Sequence, residues 1–193
     1  MEYEFAPLEG ITDAVYRRTH SRFYPGVARY YTPFISPTKN HCFTPREKRE
    51  LKAENNPGVP LVPQLIGKNA EDFLWAVNEL ADMGYREVNF NLGCPSGTVT
   101  AKGKGAGFLA KPDALDAFFE KIFRAAPLRI SVKTRLGMVS PEEFPHLLEI
   151  YNRYPVCRLI IHPRTREEQY SGPIHRDLFR YASEHTSDRK SVV

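Results

Sequence analysis

The chain has 193 residues, 41% hydrophobic, 26% charged and 12% aromatic, which is enough to bury one substantial core and too balanced for a disordered or fibrous protein. Its 27 basic against 23 acidic residues give a net charge of +4, which permits a polyanionic partner without demanding one. Cys42, Cys94 and Cys157 lie far apart with no CxxC spacing, so neither a metal site nor a disulfide framework is indicated, and a reducing cytoplasm fits best. No apolar run approaches the length of a membrane span, and Glu2 and Glu4 argue against a signal peptide.

Strand and helix patterns alternate along the chain, the signature of a parallel sheet with crossover helices. A strand over residues 3–7 precedes Gly10 and Thr12, and Thr12 is expected to cap a helix over 13–23. A second strand covers 27–32; Pro33 and Pro37 open a longer connection containing a charged helix over 45–54 with Thr44 as cap. The third strand, 59–66, leads through Asn69 into an amphipathic helix carrying Phe73, Leu74, Val77, Leu80 and Ala81, and Gly84 ends it. The fourth strand starts at Glu87. There Val88 and Phe90 alternate with Asn89 and Asn91, and two amides on a strand call for partners that a bound ligand is expected to supply in part. Pro95 stops that strand, and Gly97, Gly103, Gly105 and Gly107 predict a loose basic loop after it.

Lys111, Pro112 and Asp113 then begin a helix bearing Leu115, Phe118, Phe119 and Ile122. A fifth strand follows over 128–135, a helix over 141–154 capped by Ser140, a sixth strand over 156–162 and a helix over 176–184. Residues 190–193 read as a seventh strand only begun. The expected fold is therefore α/β, a (β/α)8 TIM barrel truncated after about six βα units, because eight strands are needed to close one. On this reading residues 1–193 form one incomplete catalytic barrel. The alternative is an open doubly wound sheet, weakened because no GxGxxG follows the first strand.

In such a barrel the chemistry lies at the carboxyl ends of the strands, and here those ends are polar. Strand three ends in Gln64, strand four in Asn89, Asn91 and Cys94, strand five in Lys133 and Arg135, and strand six in His162 and Arg164. Period two sets Ser131, Lys133 and Arg135 on one face and Ile130, Val132 and Thr134 on the other. A lone strand-end lysine is usually solvated and a lone cysteine is usually a small buried hydrophobe. Four consecutive ends converging is a different matter, since each polar group costs about 1–3 kcal/mol if buried without a partner. Cys42 and Cys157 lack such surroundings and read as structural.

The same residues form a series of motifs: Ala6-Pro7-Leu8-Glu9-Gly10, Pro63-Gln64-Leu65, Asn89-Phe90-Asn91-Leu92-Gly93-Cys94-Pro95-Ser96, Gly103 to Gly107, Ser131-Val132-Lys133-Thr134-Arg135 and His162-Pro163-Arg164-Thr165. In order and spacing this series resembles the tRNA-dihydrouridine synthases, flavoenzymes that reduce uridines in tRNA. The sequence departs from the usual pattern at Leu8, where Met is commoner, and after Thr32, where Pro33 replaces an acidic residue.

The resemblance implies FMN across the barrel mouth, reduced by NADPH, with tRNA as the substrate. It implies Cys94 as the catalytic proton donor and Ala6, Pro7, Leu8, Gln64, Lys133 and His162 as flavin-binding residues. Asn91, Lys102, Lys104, Arg135, Arg164 and Arg166 would contact the RNA, Asn91 at the uracil edge and Lys102, Lys104, Arg164 and Arg166 at phosphates. It further implies that the flavin-phosphate site and a C-terminal helical tRNA-binding domain lie beyond residue 193, so that the chain alone is expected to be inactive. No metal and no membrane association is expected. Two other readings stay open: a small-molecule FMN-dependent dihydropyrimidine or dihydroorotate-type oxidoreductase, and a noncatalytic RNA-binding remnant.

Overall fold

The computed structural model describes residues 3–186. Its strands are β1 (Tyr3–Phe5), β2 (Val27–Tyr31), β3 (Leu61–Val62), β4 (Gln64–Leu65), β5 (Glu87–Leu92), β6 (Arg129–Arg135) and β7 (Leu159–His162). The helices are α1 (Ala14–Phe23), α2 (Pro45–Leu51), α3 (Ala70–Asp82), α4 (Gly97–Thr100), α5 (Pro112–Ala125), α6 (Phe144–Asn152) and α7 (Arg176–His185). All strand pairs are parallel, in the orders β1-β2-β3 and β4-β5-β6-β7. Each strand's neighbour is the next in sequence, so the order never reverses as it must in a doubly wound sheet. The wall winds in one direction, as a barrel wall does.

The expected third strand is split into β3 and β4 because Pro63 has no N–H to give to the ladder. Its carbonyl still accepts from Asn89 N at 2.8 Å, and the Thr32 hydroxyl receives Gln64 N at 2.9 Å, so the wall continues across the break. Three helix boundaries also differ from expectation. Asp13, not Thr12, caps α1, because the Thr12 hydroxyl turns back to Leu8, accepting from its N–H at 2.9 Å and donating to its carbonyl at 3.2 Å. Helix α2 stops at Leu51, where the Asn56 amide binds the carbonyls of Glu50 and Lys52, and a 3-10 turn (Ala53–Asn55) follows. The 141–154 segment begins as a 3-10 turn (Pro141–Glu143) because Pro145 is tolerated only in the first turn of an α-helix. Residues 190–193, read as the start of a strand, lie outside the described residues.

Between the sheet and the helices, Phe90 packs on Phe73 and Phe118 with ring centroids 5.2 and 5.1 Å apart. Leu80, Leu115, Phe119, Ile122, Val132 and Leu159 fill the space around them and are fully buried. The opposite sheet face is polar. At its lower end Glu4 of β1 accepts from Arg158, just before β7, from Arg29 and from Tyr31 Oη at 2.7 Å. That contact links the first strand to the residue before β7.

Candidate functional site

Above the ion cluster the same face carries a relay of amides. Register aligns Gln64 with Asn89 and Asn89 with Ser131. Asn91 Nδ2 donates to Gln64 Oε1 at 2.7 Å, Gln64 Nε2 to Asn89 Oδ1 at 2.8 Å, and Asn89 Nδ2 to Ser131 Oγ at 3.0 Å. All four residues are buried. The amides therefore find their first partners in one another, each giving one N–H of its amide to the relay. The relay also shapes the strand end: Asn91 Oδ1 accepts from both Gly93 N, at 3.0 Å, and Cys94 N, at 2.9 Å.

The loop behind Cys94 is packed, which corrects the expectation of a loose segment. Cys94 O accepts from Ala106 N at 3.1 Å, drawing the far end of the loop against its start. Gly105 (φ +56°) is needed for that approach, since a Cβ there would stand 2.9 Å from Cys94 O. At Gly107 a Cβ would lie 2.5 Å from Thr100 O, and residues Gly105–Phe108 are wholly buried. The glycines here allow close packing, with flexibility only a sequence-level inference.

On the β6–β7 side, Lys133, Arg135 and His162 reach the mouth. Arg135 is 1% exposed, and its donors go to carbonyls: Nε to Gly93 O at 2.9 Å, Nη1 to Thr165 O at 2.9 Å and to Gln169 O at 2.7 Å. Gln169 adopts a left-handed φ of +49°, a strained conformation that turns its carbonyl onto Arg135. The next ring, Tyr170, is 65% exposed and covers the Arg135 guanidinium, 5.2 Å from its centroid. Arg135 thus ties the Cys94 peptide to the loop after β7.

Lys133 Nζ has no hydrogen-bond partner among the described residues, although its side chain is mostly withdrawn from solvent. Burial first, and the Arg135 charge second, push its pKa down to about 8. His162 is pushed down to about 4 by burial and by Arg135, Lys133 and Arg164, so its ring is neutral at pH 7. Arg164 Nη1 faces His162 Nε2 at 3.3 Å, and since a guanidinium only donates, Nε2 accepts and Nδ1 carries the proton.

A cleft of ≈ 250 Å³ opens at this end of the strands. Ala6, Pro7, Leu8, Gln64, Asn91, Cys94, Lys133, Arg135 and His162 line it, so nine of the residues singled out from sequence share one surface. The other four do not: Lys102 is exposed, Lys104 is bonded to Ser36 Oγ at 2.8 Å, Arg164 donates to Gly172 O at 2.6 Å, and Arg166 reaches Thr100 Oγ1 at 3.4 Å. Glu9, Phe34 and Tyr170 also line the cleft and were not singled out, and so does Pro33, the position where the sequence departs from the usual acidic residue. Glu9 is held by Arg46 at 2.9 Å. Tyr170 was legible only as an aromatic beyond the basic run 164–166.

The family model for dihydrouridine synthase (Dus) matches residues 4–181, nearly the whole chain. The chain belongs to the dihydrouridine synthase family. Among its relatives, a protein named probable tRNA-dihydrouridine synthase from Staphylococcus epidermidis is 32% identical over 177 residues, covering 90% of this chain and 53% of the relative. Proteins of the same name from Staphylococcus aureus and Rhodobacter capsulatus are each 32% identical, covering 90% and 86% of this chain and 52% and 51% of theirs. The chain thus spans about half the length of these dihydrouridine synthase relatives. The crystal structure of the Bacillus cereus spore cortex-lytic enzyme SleL superposes with a TM-score of 0.55 over all of this chain and 51% of that one; at 11% identity the likeness concerns the fold alone. Among the described residues no helix is long and apolar enough to cross a membrane, and no group of three His, Cys, Asp or Glu is placed to hold a metal.

Proposed function

We propose that this chain provides the catalytic face of a tRNA-dihydrouridine synthase, an oxidoreductase that reduces the C5–C6 bond of a uridine in tRNA with FMN as cofactor and NADPH as reductant. The observation that carries this reading is Lys133, an ammonium without a hydrogen-bond partner among the described residues, on the floor of a cleft that also holds a neutral His162 and the Cys94 thiol. A half-buried cation left unpaired gains from a partner of opposite charge, and an electron-rich ring edge would supply it. The cleft fits FMN in its other features as well: an apolar floor at Ala6, Pro7 and Leu8, and donors at its rim. When bound, FMN supplies the two-electron step between NADPH and the uracil ring.

The residues of the chain divide the remaining work. Ala6, Pro7 and Leu8, held by Thr12, support one face of the ring system; Lys133 holds positive charge at its pyrimidine edge, and His162 Nδ1–H and Gln64 donate to it. Cys94 holds a proton at Sγ for C5 of the uracil, and Asn91 fixes where that sulfur sits by binding the two N–H groups of Gly93 and Cys94. Asn91 Nδ2 gives one hydrogen to Gln64, and its second is the group we assign to a uracil carbonyl. Arg135 acts in positioning, because backbone carbonyls take its Nε and Nη1 donors. A tRNA substrate and three free cysteines are in keeping with a cytoplasmic protein.

The test is an FMN titration followed by fluorescence, then anaerobic turnover with NADPH and unmodified tRNA, with dihydrouridine measured in the product. Flavin binding with tRNA reduction is expected when the chain is assayed at the full length of its dihydrouridine synthase relatives, of which it spans about half. Reduction of free uracil or dihydroorotate chemistry without tRNA reduction would replace this reading with a small-molecule one. RNA affinity without flavin binding would make the chain a noncatalytic RNA-binding protein.

A further inference from the structure

The reading above makes RNA the substrate, and the following inference rests on it. The packed Cys94 loop meets the loop after β4 on the rim of the mouth away from His162. Three ammonium groups gather there. Lys104 Nζ is bonded to the neutral Ser36 hydroxyl, at 2.8 Å. The Lys68 side chain lies 3.7 Å from where a Cβ on Gly103 would stand, and Lys102 is the residue before that glycine. No ion pair engages Lys68, Lys102 or Lys104 among the described residues; the nearby Asp72 carboxylate is turned to His41 Nε2 at 3.3 Å. Burial, and then repulsion from Lys102 and Lys68, hold the Lys104 ammonium below its ordinary pKa. A cavity of ≈ 130 Å³ opens between Pro37, Gly67, Lys68, Asn69, Asp72 and Lys104.

We propose that Lys68, Lys102 and Lys104, with Ser36, form a binding site for a backbone phosphate of the substrate RNA, next to the nucleotide that enters the cleft. Three ammonium groups beside a single carboxylate, Asp72, leave a net positive charge whose mutual repulsion an incoming phosphate relieves while releasing its own counter-ions. The grip and the acid share one rigid loop. Lys104 stands two residues from Ala106, whose N–H is bonded to Cys94 O at 3.1 Å. A phosphate seated on the lysines therefore sets the position of its nucleotide against Cys94. Lys68 comes from a different strand end and was not among the basic residues singled out from sequence.

A labelled unmodified tRNA transcript, titrated by fluorescence anisotropy across a series of KCl concentrations, tests this. The wild-type affinity should fall with salt, and K68Q/K104Q should weaken binding and flatten the slope of log K against log salt by roughly 0.7 for each phosphate that is no longer neutralised. K68R/K104R should keep the wild-type slope, and K121Q/R124Q, which removes equal charge from the outer groove beside α5, should leave it unchanged. An unchanged slope in K68Q/K104Q, an equal flattening in K121Q/R124Q, or no salt-dependent tRNA binding by the wild type would overturn the site. NADPH also carries phosphates, so its KM is measured in the flavin-loaded protein: a raised NADPH KM with an unaltered tRNA slope would assign the lysines to the cosubstrate and overturn the RNA proposal. Lysine-dependent tRNA binding in a sample that takes up no FMN would support this site while defeating the flavin reading.

Discussion

The two walls of the cleft treat their polar groups in opposite ways. On the β4–β5 side Asn91, Gln64, Asn89 and Ser131 form a relay in which each amide finds a partner on the next strand. On the β6–β7 side Lys133 has no hydrogen-bond partner among the described residues, and His162 stays neutral among three cations. A satisfied buried network adds rigidity and specifies one arrangement, whereas an unsatisfied buried group marks where a partner is missing. The first wall is scaffold by this criterion, and the second is where a ligand gains most by binding.

The largest expected effect lies at the junction of the two walls, where the scaffold positions a group that is itself open to the cleft. Cys94→Ala should lower uridine reduction by about 10²–10⁴-fold while NADPH still reduces the bound flavin at its normal rate, because proton delivery and flavin reduction use different groups. Stopped-flow absorbance of the flavin, run beside product analysis, separates the two. Equal loss in both half-reactions would make Cys94 part of the scaffold.

Next in size is the open wall itself. Lys133→Met removes a charge-assisted hydrogen bond worth about 1.5–3 kcal/mol and should weaken flavin binding roughly ten- to a hundredfold. The wild-type ammonium is present below its pKa of about 8 and lost above it, so flavin affinity should fall as pH rises through that value. Titrations from pH 7 to 9 should show this slope in the wild type and a flat profile in Lys133→Met; a slope in both would remove Lys133 from the flavin site.

The closed wall should respond in stability instead. Asn89→Ala leaves Gln64 Nε2 without its acceptor in a buried layer and should cost about 1–3 kcal/mol in urea unfolding. Any loss of flavin affinity in the folded protein should be smaller than that caused by Lys133→Met. The reverse order would invert the contrast between the walls.

The smallest effect is the proton linkage of His162. Its folded pKa of about 4 lies below the ordinary value of 6.5, so the unfolded chain takes up the proton first. Stability is fully present above pH 6.5 and declines as pH falls toward 4. His162→Gln should lose less stability over this interval than the wild type, as measured by thermal unfolding at each pH, and identical profiles would show that the ring is not held neutral by its surroundings.

Read from sequence alone, the alternation of elements, the parallel wall and the convergence of Gln64, Asn91, Cys94, Lys133 and His162 were all legible. Each of these follows from a local rule: strand period two, helical spacing, and the position of a residue at a strand's carboxyl end. What the sequence could not decide was which polar groups would satisfy one another. The two asparagines of β5 announce a need for partners, but only the register of β4, β5 and β6 shows that Gln64 and Ser131 meet it. Arg135 reads like Lys133 two residues away, yet the loops carrying Gly93, Thr165 and Gln169 fold over it and take up its donors. The glycines of the Cys94 loop likewise read as flexibility, because a missing Cβ permits both a mobile chain and a close approach. Contacts between Gly105 and Cys94 and between Gly107 and Thr100, which fold the loop back on itself, decide for the close approach. Local pattern determined which residues could reach the mouth; non-local packing decided which of them were left free to act there.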